Sequence, residues 1–476
     1  MKPESDQPRK VIPIQPVPSE ASTSMYEAHQ KIYPRSIRGT FMAWRWALVW
    51  LTQIIFYGLP WLEWGQRQMV LFDLGARRFY LFGLVLYPQD FIYLTGLLII
   101  SALALFLFTA VAGRLWCGFS CPQTVYTEIF MWIEHKVEGD RSARLRLDHG
   151  GWTAEKLWKK TVKQLLWVVF SLWTGITFVG YFVPIREVGH ELLQLHVGWP
   201  LFWTLFYGFA TYGNAGYLRE QVCKYMCPYA RFQSAMFDKD TLIVSYDSAR
   251  GEQRGPRKKD VDHRAQGLGD CIDCKLCVQV CPVGIDIRDG LQYECIGCGL
   301  CIDACNSVMD SMHYPRGLIR LSTQNGVAQR WAHAQMLRRV LRPRVLIYAA
   351  ALIALTVAML VSLGVREPLK VDVIRDRASL ARIVGGGKLE NVYRLQLMNA
   401  TEVEQVYDIQ AQGLDGMAVA EPVPVTVAPA ETRGVAVRVQ IPYGSAAPGS
   451  HSLVFTIAAR SGQGQVQEKS VFLVPR

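Results

Sequence analysis

All twelve cysteines of this 476-residue chain fall between Cys117 and Cys305, and eight of them crowd into the stretch from Cys271 to Cys305. The first group is Cys271, Cys274, Cys277 and Cys281 followed by Pro282, a CxxCxxCxxxCP pattern; the second is Cys295, Cys298, Cys301 and Cys305. A CxxCxxC loop wraps three thiolates around three corners of one cubane but does not easily deliver a fourth, and in two-cluster modules the fourth cysteine of each group crosses to the other cluster. The spacing therefore predicts two 4Fe-4S clusters. Cys271, Cys274, Cys277 and Cys305 hold one; Cys295, Cys298, Cys301 and Cys281 hold the other. Zinc would need CxxC pairs, and triplets fit a cubane better. Gly297 and Gly299 let the backbone approach sulfur and donate N–H groups to it. Asn306 stands where a second proline would follow Cys305, which is expected to alter the turn and not to abolish ligation. A disulfide framework would scatter its cysteines through an exported region, so this pattern reads as metal ligation in a reducing compartment.

The remaining four cysteines form two copies of one motif, Cys117 to Cys121 before Pro122 and Cys223 to Cys227 before Pro228. If each CxxxC is helical, its two sulfurs share a face one turn apart. Four thiolates could then converge into a soft site suited to Cu(I), zinc or another iron-sulfur cluster. Dithiol exchange is a second reading, and small buried residues easing helix contact a third. Spacing leaves the occupant open. His190 and His196 are candidate copper or haem ligands, or solvated capping groups. Glu63 and Asp90, at apolar-run boundaries, are candidate proton relays or ordinary interfacial charges.

Half of the chain is hydrophobic, gathered in uncharged runs rather than spread. The runs predict five transmembrane helices, over Phe41–Leu62, Phe91–Ala112, Leu165–Ile185, Val197–Tyr217 and Val345–Val365. Arg45, in the opening turn of the first, is expected to snorkel to the headgroups. Phe79–Pro88 is apolar but too short to cross, and reads as an interfacial or re-entrant piece. The formal net charge is +11. Its basic excess flanks the apolar runs, as in the stretch 113–164 and at Arg330, Arg338, Arg339, Arg342 and Arg344, so it marks cytoplasmic segments and not a nucleic-acid surface. The expected organisation is a disordered basic tail over 1–40, a four-helix membrane part over 41–217 with the CxxxCP motifs at cytoplasmic helix ends, a cytoplasmic ferredoxin-like α+β module over 218–344, a fifth helix over 345–365 and an external domain over 370–476.

That last segment alternates with period two at Tyr393, Leu395, Leu397, at Val435, Val437, Val439, Ile441 and at Leu453, Phe455, Ile457, which predicts an antiparallel immunoglobulin-like sandwich. Gly385, Gly386 and Gly387 lack the context of a phosphate loop. No nucleotide or flavin fingerprint occurs elsewhere, so the electron donor is expected to be external, a quinol or a cytosolic reductant.

The order of first span, RRFYLFG stretch, CGFSCP, CKYMCP, dicluster ferredoxin, last span and sandwich resembles the cytochrome c oxidase accessory proteins of the CcoG, FixG and RdxA family, from about residue 35 onward. Paired CxxxCP motifs plus a ferredoxin are shared in part with membrane ferredoxins of the NapH type. The resemblance implies a Gram-negative inner-membrane protein needed to assemble a cbb-type oxidase, reducing Cu(II) to Cu(I) for delivery. It implies copper at or near Cys117, Cys121, Cys223 and Cys227, and a sandwich that docks a copper chaperone or oxidase subunits, with homo-oligomers as a further expectation. The alternatives are a quinol-oxidising subunit and a cluster-stabilised assembly scaffold.

Overall fold

The computed structural model describes residues 31–475 except 66, 195, 196, 260, 261, 263, 377–380 and 463. The expected tail lies outside the described residues as far as residue 30. From Lys31 onward it is held in place, because Tyr33 Oη donates to Asp148 at 2.7 Å and the Ser36 N–H donates to Asp140 at 3.0 Å.

Among the described residues three helices are long and apolar enough to cross a membrane, Pro88–Ala112, Ala154–Val179 and Pro343–Gly364, not the five expected. The first expected span forms the helix Thr40–Gly58, whose apolar run is diluted by Arg45, Thr52 and Gln53. The fourth is α-helical only over Trp199–Thr211 and continues as a π-helix over Tyr212–Leu218, a local widening that recurs at functional sites. The third starts earlier than expected. Thr153 accepts a hydrogen bond from the Lys156 N–H, so the helix begins at Ala154 within the supposed basic loop. Most of the rest of that loop is helical too, over Pro122–Glu138 and Arg141–His149.

Phe91–Ala112 packs against Pro343–Gly364, with Tyr93 Oη 3.1 Å from Ser362 Oγ near one end. At the other end Arg342 donates to the Ala110 carbonyl at 2.5 Å and pairs with Asp238 at 2.9 Å. Twenty-two residues rise about 33 Å, matching a hydrocarbon core of about 30 Å. This antiparallel pair holds the C-terminal sandwich at one end and the cysteine-rich module at the other.

The sandwich has two antiparallel sheets. One runs Ala418–Val419, Thr432–Pro442, Lys388–Asn399, Leu369–Arg375, with Arg382–Val384 also on Lys388–Asn399; the other runs Val425–Val427, Gln405–Gln412, Gly449–Ala459, Gln465–Val474. The alternating residues named above supply its core, where Tyr393 meets Phe455 edge to face at 5.1 Å. Phe79–Pro88, expected as an interfacial or re-entrant piece, is mostly strand. It supplies two strands of a three-stranded meander, Val70–Asp73, Arg78–Leu81 and Leu84–Leu86. Leu71, Tyr80, Val85 and Tyr87 bury their apolar surface against Met398, Ala400 and Ala430 of the sandwich.

Asp90 fastens this junction. Its carboxylate, 2% exposed, pairs with Arg366 at 2.5 Å and Lys370 at 3.4 Å. Glu63 forms only an exposed pair with Arg186. Removing one partner of a buried pair strands the other charge, at a cost of about 3 kcal/mol. Asp90→Ala is therefore expected to lower the thermal unfolding midpoint in detergent, whereas Glu63→Ala leaves it unchanged.

Candidate functional site

The cysteine-rich module is built from two helices, Leu276–Gln279 and Leu300–Met312, closed by the antiparallel strand pair Ile243–Tyr246 with Ile319–Ser322. Cys271, Cys274, Cys277 and Cys305 line one small, partly open hollow. Cys305 thus faces the first triplet and not its own. Cys281 in turn lies in the electrostatic field of Cys298 and Cys295, which with Cys301 form the second set. Asn306 stays inside the helix Leu300–Met312 and accepts the Gly317 N–H at 3.1 Å, so the missing proline lets the helix run on.

Burial pushes the Cys277 thiol up to about 11 and the Cys281 and Cys305 thiols up to about 12, and neighbouring sulfurs push the same way. Cys295 is raised to about 11, again chiefly by burial. Thiols packed like this ionise only where cationic metal balances them, which is the chemistry of iron-sulfur ligation. The donor sets fit two cubanes. Among the described residues no three His, Cys, Asp or Glu side chains converge on a point that one metal ion could occupy.

Two buried arginines attend these sulfurs. Arg288, at the first hollow, is 5% exposed and pairs with Asp273 and Asp286, both at 2.6 Å. Arg45 does not snorkel. It is 2% exposed, donates to Glu128 at 2.6 Å, and directs its charge at the sulfurs of Cys298 and Cys281. Sequence reading missed this role, although a charge inside an apolar run is the signal that finds it.

The CxxxCP pairs sit against the second set. Cys117 lies on the short helix Leu115–Phe119, and Cys121 precedes Pro122–Glu138. Cys223 lies on a second π-turn, Val222–Met226, and Cys227 precedes Pro228–Met236. The expected α-helical CxxxC holds for neither motif, because each proline starts a new helix directly after its second cysteine. Cys117 Sγ donates to Gln233 Oε1 at 3.2 Å, and Thr109 meets Tyr229 at 2.8 Å, tying the two motifs together. All four sulfurs lie within electrostatic range of one another. Burial first, then these neighbours, push Cys117 up to about 11 and Cys223 up to about 12. Arg114 opposes that rise while donating to the carbonyls of Tyr293 and Ala230, and its charge also reaches Cys295.

Gly118, between Cys117 and Cys121, touches the ferredoxin loop directly. A Cβ there would lie 2.8 Å from the Ile296 carbonyl oxygen and 2.9 Å from the Cys298 Cα. Gly297, at φ 67, answers from the other side against Arg114. The histidines are placed elsewhere. His190, on Ile185–Leu193, is exposed beside Gln194 at 3.4 Å, and His196 lies outside the described residues.

Comparison with known proteins agrees with this arrangement. A 4Fe-4S dicluster domain matches residues 218–324 and a 4Fe-4S binding domain matches 94–138. The IG-like fold at the C-terminal of FixG matches 359–475. The nitrogen fixation protein FixG of Rhizobium meliloti is 36% identical over 82% of this chain and 80% of its own length. Protein RdxA of Cereibacter sphaeroides is 39% identical over 83% of this chain and 85% of its own, and RdxB of the same organism 39% identical over 82% and 84%. A solved FixG-related protein from Vibrio parahaemolyticus matches 23% of this chain and 97% of its own, at 23% identity and a TM-score of 0.21. Cysteine sets, membrane-length helices and sandwich together define a membrane-associated iron-sulfur redox protein. The chain belongs to the FixG/RdxA family.

Two variants probe the site. Arg45→Met removes a buried cation beside Cys298 and Cys281, so the iron content is expected to hold while the midpoint potential of one cluster falls and that of the other stays. An EPR-monitored redox titration reads this. Gly118→Ala drives a methyl group into backbone that cannot yield and is expected to destabilise the protein by about 1–3 kcal/mol, seen as earlier loss of cluster absorbance on heating.

Proposed function

We propose that this chain carries single electrons in the assembly of a cbb-type cytochrome c oxidase, reducing Cu(II) to Cu(I) so that copper can be delivered. In this reading it lies in a Gram-negative inner membrane with the cysteine-rich module in the cytoplasm and the sandwich outside. Basic side chains gathered at the cysteine-rich end, among them Arg338, Arg339, Arg342 and Arg344, support that orientation. In this reading Thr40–Gly58 is a further crossing, because the Arg45–Glu128 pair offsets the charge that would keep it out of a bilayer. The sandwich is then free to dock a copper chaperone or oxidase subunits.

The observation that carries the proposal is the contact of the CGFSC segment with the second cysteine set, through Gly118 and Cys298. It makes one series of sulfur sites from the hollow beside Arg288 to the CxxxCP pairs. Bound clusters supply single electrons at low potential. The chain's own part is to hold the sulfurs, exclude water from them and set their field through Arg288, Arg45 and Arg114. Copper, as substrate, meets the electron at or near the CxxxCP pairs, where soft sulfur favours the Cu(I) product.

A second reading, oxidation of a quinol, draws on a shallow open hollow walled by Trp46, Met131, Trp132 and His135, with Pro282 beside Cys281. One experiment separates the two. Reduced protein is mixed anaerobically with Cu(II) while cluster bleaching and Cu(I) chelation are followed together. The proposal expects stoichiometric reoxidation with Cu(I) formed, and much slower reduction when Cys117, Cys121, Cys223 and Cys227 are all Ser. Reoxidation by a quinone alone promotes the second reading, and no reoxidation by copper removes the first.

A further inference from the structure

We infer that the chain takes its electrons from an acidic soluble electron-transfer protein, which docks on the basic surface around Cys274. The inference rests on the reading of the chain as a carrier of single electrons, and deepens it by giving the donor's chemistry and its point of entry.

The sulfur series is open at one end. Among the described residues, which include all twelve cysteines, Cys274 is the exposed one. Its neighbours Asp273 and Lys275 both take left-handed backbone, at φ 53 and 55, a conformation that residues other than glycine rarely adopt. The chain bends on either side of Cys274, which stands at the hollow that Cys271, Cys277 and Cys305 complete. The second set has no exposed sulfur, and Gly118 lies against its Cys298. An electron crosses between two proteins where a redox centre comes close to the surface, which here is the first set.

The surface beside that set is basic. The run Arg254 to Lys259 holds four basic residues and no acidic one. It is stitched to the first set, because the Gly255 N–H donates to the Cys271 carbonyl at 3.2 Å and Arg257 lies over the Tyr314 ring at 5.3 Å. Arg254 lies within electrostatic range of Asp273 and Asp286. Lys258, Lys259 and Lys275 are exposed and form no ion pair with any described residue.

Acidic side chains around the same rim are already engaged. Glu252 pairs with Arg254, Asp270 with Arg250, Asp273 and Asp286 with Arg288, and Asp310 with Arg316. The Asp262 carboxylate accepts the Arg264 N–H at 3.1 Å. Unpaired lysines are left facing solvent. They steer an acidic partner into place without gripping it, and electron-transfer encounters are of this weak, small-area kind. One electron passes from the carrier, which is oxidised, to the set at Cys274, which is reduced, with no atom or proton exchanged.

The probe is an acidic plant-type 2Fe-2S ferredoxin, a low-potential one-electron carrier, added anaerobically to the cluster-loaded full chain in detergent. Binding of the oxidised ferredoxin is measured by calorimetry at low and high salt, and reduction of the chain by the reduced ferredoxin is followed as bleaching. The expected result is binding that salt weakens. Binding is also expected to weaken by about tenfold or more when Lys258, Lys259 and Lys275 are all changed to Glu, with reduction by ferredoxin slowed and reduction by photoreduced deazaflavin unchanged. Arg338→Glu with Arg339→Glu, a reversal of exposed charge at the same end, leaves binding as it was. Binding indifferent to salt, equal binding to the lysine variant or an equal loss in the Arg338 and Arg339 variant overturns the inference. So does reduction by a quinol and not by ferredoxin, or capture of anionic phospholipid vesicles by these lysines in place of ferredoxin. If ferredoxin fails while the deazaflavin-reduced chain still forms Cu(I), the inference falls and copper reduction stands. If ferredoxin reduces a chain that then forms no Cu(I), copper reduction falls and the inference stands.

Discussion

Buried sulfur is the constraint around which one end of this molecule is organised. Twelve cysteines drawn from Cys117 to Cys305 gather there, and burial pushes most of their thiols above the ordinary range, with neighbouring sulfurs adding to the effect. An apolar interior resists charged thiolates, so their ligand chemistry requires compensating positive charge. Bound cluster cores would supply part of it. The protein adds to it through Arg288, Arg45 and Arg114, each nearly withdrawn from solvent and each aimed at a different part of the sulfur series. These arginines are expensive to bury alone, which explains why Glu128, Asp273 and Asp286 accompany two of them and backbone carbonyls the third.

The rest of the architecture keeps that end at a fixed distance from the sandwich. Phe91–Ala112 and Pro343–Gly364 run antiparallel between Arg342, on the cysteine side, and the Asp90–Arg366 pair, on the sandwich side. The meander at Val70–Leu86 seals the junction by burying Tyr80, Val85 and Tyr87 against the sandwich. The two ends are therefore joined by packed helices.

Much of this was legible in the residues. Period-two alternation located the sandwich core down to Tyr393, Leu395, Leu397 and Phe455, because a buried sheet face leaves a strict pattern. The CxxCxxC spacing leads to the expected pairing of Cys305 with the first triplet, because loop geometry limits what three adjacent ligands can reach, and these four cysteines line one hollow. The errors have physical causes. Hydropathy cannot tell a membrane run from apolar strands that pack on another domain, as at Phe79–Pro88. A one-dimensional charge rule cannot see that Arg45 meets Glu128, 83 residues away, nor that Lys160 and Lys163 lie inside a helix facing Glu134 and Glu138. Helical spacing was assumed for CxxxCP, but the prolines restart the backbone after Cys121 and Cys227, so the four sulfurs meet through tertiary contact.

The central claim, that the cysteines are shared across the sequence groups, is tested most directly by an iron-edge anomalous map of the loaded protein. The account predicts one iron peak bounded by Cys271, Cys274, Cys277 and Cys305 and another by Cys281, Cys295, Cys298 and Cys301. Peaks bounded instead by Cys271, Cys274, Cys277 with Cys281, and by Cys295, Cys298, Cys301 with Cys305, would contradict it.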